Sequence, residues 1–424
     1  MTVLIAGGGI AGMALGLTCH QIGAPFRIFE SVNRIRPLGV GINLQPSAVR
    51  ELFDLGLEDR LDDIGTRTRD YGMYSKVGNH IWTEPRGLWA GYRWPQFSVH
   101  RGKLHMLLYE ELIRRAGPDC VQTGWSVERT DTEGDEAVLH LKNAAGERRT
   151  ERGAVAIGAD GIHSAIRAQM YPDEGSPVWG GAVLWRGITR AVPFLSGASM
   201  VMVGYAGLRF VSYPISRPDP DTGAALINWI ANLNFDPEDH WNREDWNREA
   251  KLEDFLPRFE EFRFDWLDVP ALIRGAEQVF EYPMVDRDPL PSWTRGRVSL
   301  MGDAAHAAYP VGSNGAGSAI IDARKLGAAF LSLGLTPAAL EAYEAEMRPI
   351  TEKVILTNRV AGPDSILDVV EERCGGVFDD IEEVISRNEL TAHAANYKAV
   401  AGYGIEAINA APATIAPGAR MQGG

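Results

Sequence analysis

A short apolar run, Val3-Leu4-Ile5-Ala6, leads directly into Gly7-x-Gly9-x-x-Gly12, and nothing else in the 424-residue chain restricts its fold as strongly. Four apolar residues in a row fit a strand covered on both faces of a parallel sheet. Ile10, Ala14 and Leu17 then recur at helical spacing, and Gly23 and Pro25 mark the helix end. Phe26-Arg27-Ile28-Phe29 reads as the next strand and ends in Glu30. This order is a βαβ unit for a dinucleotide: Gly7 permits the tight turn, Gly9 a close backbone approach to a pyrophosphate, and Gly12 close packing of helix on strand. The helix N-terminus would face the phosphates with free N–H groups and partial positive charge. Glu30, 18 residues after Gly12, can accept from the ribose hydroxyls of an adenosine, which favours FAD or NAD over NADP.

Residues 1–26 carry no Asp, Glu, Lys or Arg and are long enough to span a bilayer. Six glycines and the lack of a cationic start argue against a membrane helix or a signal peptide. A formal charge of −14 argues against nucleic acid and against an anionic membrane surface. Cys19, Cys120 and Cys374 are too far apart for a disulfide framework or a C-x-x-C site, so a reducing cytoplasmic setting is expected. The chain is long enough for two or three domains with a large core.

Further along, residues 36–43 form a turn-rich loop, and residues 98–104 read as a strand end feeding an amphipathic helix through Leu104, Leu107, Leu108 and Leu112. Arg101 at that helix start can either reach a phosphate or flavin edge or be a solvated surface arginine. Residues 154–157 form another apolar strand before Gly158-Ala159-Asp160-Gly161 and a helix start. Residues 178–280 change character: strands over 208–214 and 224–231, separated by turn clusters, predict an antiparallel sheet. Nine of the eleven tryptophans fall in 76–97 or 178–280: Trp82, Trp89, Trp94, Trp179, Trp185, Trp229, Trp241, Trp246 and Trp266. They suggest either an aromatic-lined pocket for a flat substrate or ordinary sheet packing.

A last strand, 297–301, runs into Gly302-Asp303, and Pro310-Val311-Gly312-Ser313-Asn314-Gly315-Ala316-Gly317 then opens a helix that is uncharged up to Asp322. This is a second close-approach site. Asp303 can bond the hydroxyls of a sugar-alcohol chain, and the helix N-terminus near Gly315 can stabilise negative charge on a reduced ring. His306 is expected to make a local hydrogen bond. Residues 337–360 predict a helix kinked at Pro349, residues 367–386 a further helix, and residues 410–424 a frayed tail.

The succession Gly7-x-Gly9-x-x-Gly12, Asp160-Gly161, Gly302-Asp303 resembles the three fingerprints of the single-component class A FAD-dependent aromatic hydroxylases. The stretches 35–46, 282–291 and 310–316, with Trp185-Arg186-Gly187, look like the phenazine-type branch of that family; Gly312-Ser313-Asn314-Gly315 stands where other members carry Gly-Gln-Gly. Residues past 361 do not match. The resemblance implies a doubly wound α/β FAD-binding domain of the glutathione-reductase-like Rossmann type (1–75, 98–177 and 281–360). It carries an inserted antiparallel-sheet α+β substrate domain (76–97 and 178–280) and a C-terminal helical extension and tail (361–424).

By the same resemblance, Gly7, Gly9 and Gly12 hold the pyrophosphate and Glu30 the ribose. Arg101 reaches the phosphate or ribityl region, and Asp160 and Gly161 serve both FAD and the pyridine nucleotide. Asp303 binds the ribityl chain, and Gly312, Asn314, Gly315 and Ala316 support the flavin pyrimidine. Pro310 would lie at the reacting flavin edge. Trp185, Arg209, Tyr213, Trp229 and Tyr282 are candidates for a pocket, Arg209 as partner of a substrate carboxylate or as an exposed sheet arginine.

The expected activity is NADH- or NADPH-driven hydroxylation by O2 through a flavin C4a-hydroperoxide, with no metal. The substrate would be a small aromatic or heteroaromatic compound, a phenazine-type or other ring acid included, with or without loss of a carboxyl group. The chain would act as a monomer or homodimer without nucleic acid or membrane. Three alternatives share the scaffold: a halogenase, a reductase and a non-catalytic FAD-binding redox module. The Trp-x-Trp-x-Ile-Pro stretch typical of flavin halogenases is absent.

Overall fold

The structure is a computed structural model that describes residues 2–235, 250–360, 365–400 and 404–421. Trp241 and Trp246 lie outside the described residues. The first apolar run is the strand Val3–Ala6, and all four of its residues are buried. It pairs in parallel with Phe26–Glu30 on one side and Val155–Gly158 on the other. A six-stranded sheet grows outward from there through Val121–Thr123 on one side and Val298–Leu300 on the other, with the short antiparallel Thr294–Arg295 at its edge. The Ile10–Ile22 helix is nearly all buried, because it packs between the sheet and the long Gly315–Leu333 helix. Its low polarity, which made residues 1–26 look membrane-like, is the burial signature of a central helix. No helix among the described residues is long and apolar enough to cross a membrane.

A second, seven-stranded sheet runs in the order Val279–Asp286, Val178–Ala191, Ala225–Asn234, Leu208–Pro214, Ser199–Tyr205, Asp70–Tyr74, His80–Pro85. It is antiparallel apart from the parallel pair Ser199–Tyr205 and Asp70–Tyr74. Two strands lie across the expected domain divisions. Asp70–Tyr74, before the division expected at residue 75, pairs in this sheet. Val279–Asp286, which spans the expected return at 281, also pairs within it. The first crossing takes the single residue Arg69, between the strands Gly65–Thr68 and Asp70–Tyr74, and the second runs through 287–293 with Pro289 and Pro291.

Side chains alternate across a strand with a period of two, which gives this sheet two different faces. On one face Val183, Trp185, Val201, Val203, Phe210, Trp229 and Ala231 join Phe255, Phe259 and Phe262 in a closed core. On the other face, Tyr71, Met202, Val211 and Tyr213 meet Ile366, Leu367 and Val370 of the Ser365–Cys374 helix.

The predicted 367–386 helix breaks at Cys374, because Gly375 and Gly376 follow with positive φ; the next helix is Arg387–Val400. The tail through Met421 is anchored rather than frayed. Ile415 is buried in the first core, Thr414 donates to Glu51 at 2.7 Å, the Met421 amide donates to Ile22 O, and Arg50 donates to Pro412 O.

Candidate active site

The dinucleotide loop is shaped by its glycines. Gly7 has φ +101°, and a Cβ there would meet Ala159 O at 2.4 Å; a Cβ at Gly12 would meet Gly7 O at 2.0 Å. A Cβ at Gly9 would find nothing within 4 Å, which is the open side a pyrophosphate needs. Glu30 closes the loop. Its Oε1 accepts the Val32 amide at 2.9 Å and the Ser31 hydroxyl at 3.0 Å, while its Oε2 accepts the Gly8 amide at 2.7 Å and keeps acceptor capacity for a ribose hydroxyl.

Sequence reasoning missed His105. From the Arg101–Ala116 helix it donates Nε2–H to Gly8 O at 2.5 Å, and burial, with the Arg101 charge, lowers its pKa against the raising effect of that bond. A neutral imidazole holding one carbonyl fits that role. Gly8 is thus pinned at both ends of its peptide groups. Glu30→Ala should weaken FAD binding by about 2–3 kcal/mol, roughly a hundredfold, since it removes charge-assisted bonds to loop and ribose. Fluorescence titration of the apoprotein with FAD checks this.

Three further elements converge on the same side. Asp160 is held by the Ala165 amide at 2.9 Å through Oδ2, while its buried Oδ1 has no hydrogen-bond partner among the described residues; burial pushes its pKa up. Gly161 follows at φ +82°. Asp303 is exposed at the start of a short helix, with Oδ1 4.0 Å from where a Gly315 side chain would begin. Gly312 and Ser313 both have positive φ, and Gln45 Nε2 donates to Gly312 O at 3.3 Å. Asn314 is buried, and Gly315 and Ala316 open the long helix. Arg101 is exposed and lies against Gly39; its charge acts on Arg186 and Tyr282. An open loop at Gly9 fits the pyrophosphate of FAD, and the outward carboxylate of Asp303 fits its polyhydroxyl chain.

A cavity opens between this cradle and the second sheet. Pro310, Val311, Gly312 and Ser313 form one wall, and Leu184, Met200, Met202, Arg209, Val211, Tyr213, Ile230 and Asn232 the sheet wall. Asn43, Gln45, Tyr71, Arg86, Gln96 and Met284 complete it. Pro310, Arg209 and Tyr213 are therefore brought together on one cavity. Trp185 and Trp229 are not. Trp185 stacks on Phe255 at 4.9 Å and Trp229 donates to Thr189 Oγ1 at 3.0 Å, both inside the closed core. Tyr282 also stays off the cavity wall, half-buried beside the Arg186 guanidinium. None of the described tryptophans lines the cavity; methionines and carboxamides do.

The loop over 36–43 is tied to the sheet at Gly41. Its carbonyl accepts from Arg186 Nη2 at 2.7 Å and Tyr213 Oη at 3.0 Å, and its amide donates to Asn228 Oδ1 at 2.7 Å. Burial pushes Tyr213 up to about 12, so its hydroxyl stays a donor. Deep to Asp303, Asp322 Oδ2 accepts the Gly302 amide at 2.9 Å and His306 Nε2 at 2.6 Å. His306 thus makes a local bond, as expected.

A family model described as an FAD binding domain matches residues 1–181 and 281–357. The phenazine 1,6-dicarboxylic acid hydroxylase of Lysobacter antibioticus is 42% identical over 362 residues, covering 84% of this chain and 89% of its own. The chain belongs to the FAD-dependent aromatic hydroxylases. It is an NAD(P)H- and O2-consuming monooxygenase with FAD as cofactor. Two solved structures share the hydroxylase fold. Klebsiella pneumoniae HpxO complexed with FAD and uric acid has a TM-score of 0.71 at 22% identity, covering 96% of this chain and 95% of its own. A salicylate hydroxylase substrate complex has a TM-score of 0.72 at 22% identity, covering 96% and 97%.

Proposed function

We propose that this hydroxylase acts on a planar polycyclic ring acid of the phenazine-carboxylate type, with the carboxylate at Arg209 and the ring against Pro310. One observation carries the reading. The cavity between the FAD cradle and the sheet is lined by Met200, Met202, Met284, Leu184, Val211 and Ile230, with Arg209 among them. Thioethers and aliphatic side chains suit the faces of a flat ring. Asn43, Gln45, Gln96 and Asn232 offer donors and acceptors to ring nitrogens and oxygens, and a half-buried guanidinium is suited to a carboxylate. The likeness to the Lysobacter hydroxylase supports the same substrate class.

Bound FAD supplies the redox chemistry, taking electrons from NAD(P)H and delivering one oxygen atom of O2 to the ring. The protein orients and excludes water. Gly7, Gly9, Gly12 and Glu30 would hold the adenosine diphosphate end. Asp160 and Gly161 would flank the pyrophosphate, Asp303 would take the ribityl hydroxyls, and Gly312 to Ala316 would present backbone N–H groups to the pyrimidine. Arg101 would lie over the phosphate or ribityl region from the edge of the 36–43 loop.

Substrate-stimulated NAD(P)H oxidation across phenazine carboxylates, hydroxybenzoates, quinolines and pyridine acids tests this, with product mass read in parallel. A phenazine acid should accelerate oxidation and gain one oxygen atom. Acceleration with hydrogen peroxide as the sole product for every polycyclic acid would overturn the substrate class. Arg209→Gln should raise KM for the ring acid by about 10- to 100-fold, the span of a charge-assisted hydrogen bond, and leave the corresponding carboxamide nearly unchanged.

A further inference from the structure

Arg86 and Arg209 are the charged side chains that line the cavity. Arg86 has its acid close by: Glu84, two residues back at the end of the His80–Pro85 strand, approaches it at 3.3 Å. Arg209 is different. Besides Tyr71 of the sheet, the group that acts on its charge is a carboxylate from another element, Asp368 in the Ser365–Cys374 helix. That helix lies beyond the stretch matched by the FAD-domain model.

The placement of Asp368 is built, not incidental. Ile366, Leu367 and Val370 pack against Met202 and Val211, which also line the cavity. Asp368 Oδ1 accepts the Ala206 amide at 2.5 Å. Ala206 sits in the turn between Ser199–Tyr205 and Leu208–Pro214, three residues before Arg209 on the chain. One carboxylate oxygen is thereby committed to the turn, and the charge is fixed on the Arg209 side of the sheet. Arg209 directly opposes Asn232, and Asn232 opposes Leu184, so this end of the cavity is one continuous row across three strands.

We propose that Asp368 is a specificity-determining residue: its fixed carboxylate offsets the positive charge of Arg209 and so sets how strongly the cavity prefers a carboxylate over a neutral group at that end of the ring. The inference rests on the reading of this cavity as the substrate site. A substrate carboxylate at Arg209 meets the attraction of the guanidinium and the repulsion of Asp368 together. A carboxamide of the same shape meets neither in full. The C-terminal helix thus tunes selectivity among ring compounds without touching the reacting atoms.

Asp368→Asn removes the charge and keeps an oxygen for the Ala206 amide. The holoenzyme is titrated with two acid and amide pairs, benzoate with benzamide and phenazine-1-carboxylate with its carboxamide, and binding is read from the change in flavin absorption. Each acid should bind about tenfold tighter in the variant, and each amide within about twofold of wild type. Asp368→Glu should restore the wild-type acid-to-amide ratio, and Arg209→Gln should abolish the gain in the double variant. Equal shifts for acid and amide, or no shift for either, overturn the proposal. So does an Asp368→Asn holoenzyme whose flavin responds to neither acid. Failure of the substrate reading shows differently: the acids bind with the expected discrimination, and none gains oxygen in the turnover assay.

Discussion

Gly12→Ala should leave the protein without FAD. The added Cβ would sit 2.0 Å from the Gly7 carbonyl oxygen and 3.4 Å from Ile5 Cγ2. The nearer neighbour is backbone, so no side-chain rotation relieves it. Gly7 cannot retreat, since it is held at φ +101° with Ala159 O close behind. Overpacking of a flexible core costs about 1–3 kcal/mol, and a backbone-to-backbone clash exceeds that range. The displaced loop is the one whose amides would face the pyrophosphate. Flavin absorbance per protein should fall below about a tenth of wild type, and the apoprotein should melt at lower temperature. Gly9→Ala is the contrast. Its Cβ meets nothing in the protein, so the apoprotein should melt as wild type does while FAD binding is lost to collision with the ligand. A Gly12→Ala protein with full flavin and an unchanged midpoint would remove the steric argument.

The two halves of the site differed in how far their sequence could be read. The cradle for FAD depends on short-range backbone facts. A strand, a turn that needs positive φ and a helix start lie within a dozen residues, so Gly7, Gly12, Gly161 and Gly312 announce themselves locally. The substrate cavity depends on which face of a sheet looks inward. Alternation along Leu208–Pro214 separates Arg209, Val211 and Tyr213 from Phe210 and Ser212, but it does not say which set meets the cofactor. Trp185 and Trp229 drew attention by size, and size placed them in the closed core, where large aromatic surface is buried most effectively.

The tail misled for a related reason. Its Ala, Pro and Gly content resembles a frayed end, yet one buried Ile415 and bonds to Arg50 and Glu51 secure it. Those partners lie more than 360 residues away in sequence, beyond any local pattern. Asp368 is tied to the Ala206 turn across 162 residues, again beyond any local pattern.

Asp322→Ala should be the most damaging substitution away from the glycine loop. Asp322 is fully buried, and its Oδ2 serves two donors, the Gly302 amide and His306 Nε2. Removing the carboxylate strands an amide and an imidazole in a dry interior, a loss of about 3–5 kcal/mol for a broken buried pair. Gly302 is the turn, at φ +57°, from which Asp303 projects, so FAD retention should fall with stability.

The pH dependence separates charge from shape. Burial works against a charged His306, but the Asp322 carboxylate outweighs it and raises the imidazole above its ordinary 6.5. A raised folded-state pKa contributes stability that is fully present below the unfolded value and is lost as pH climbs through the folded one. The stability gap between wild type and Asp322→Asn should therefore be widest below about pH 6.5 and narrow as the pH climbs through the raised folded-state value. Thermal melts across that range read it directly. A gap that stays constant would mean that His306 is neutral throughout, and that Asp322 holds the Gly302 turn by hydrogen bonding alone.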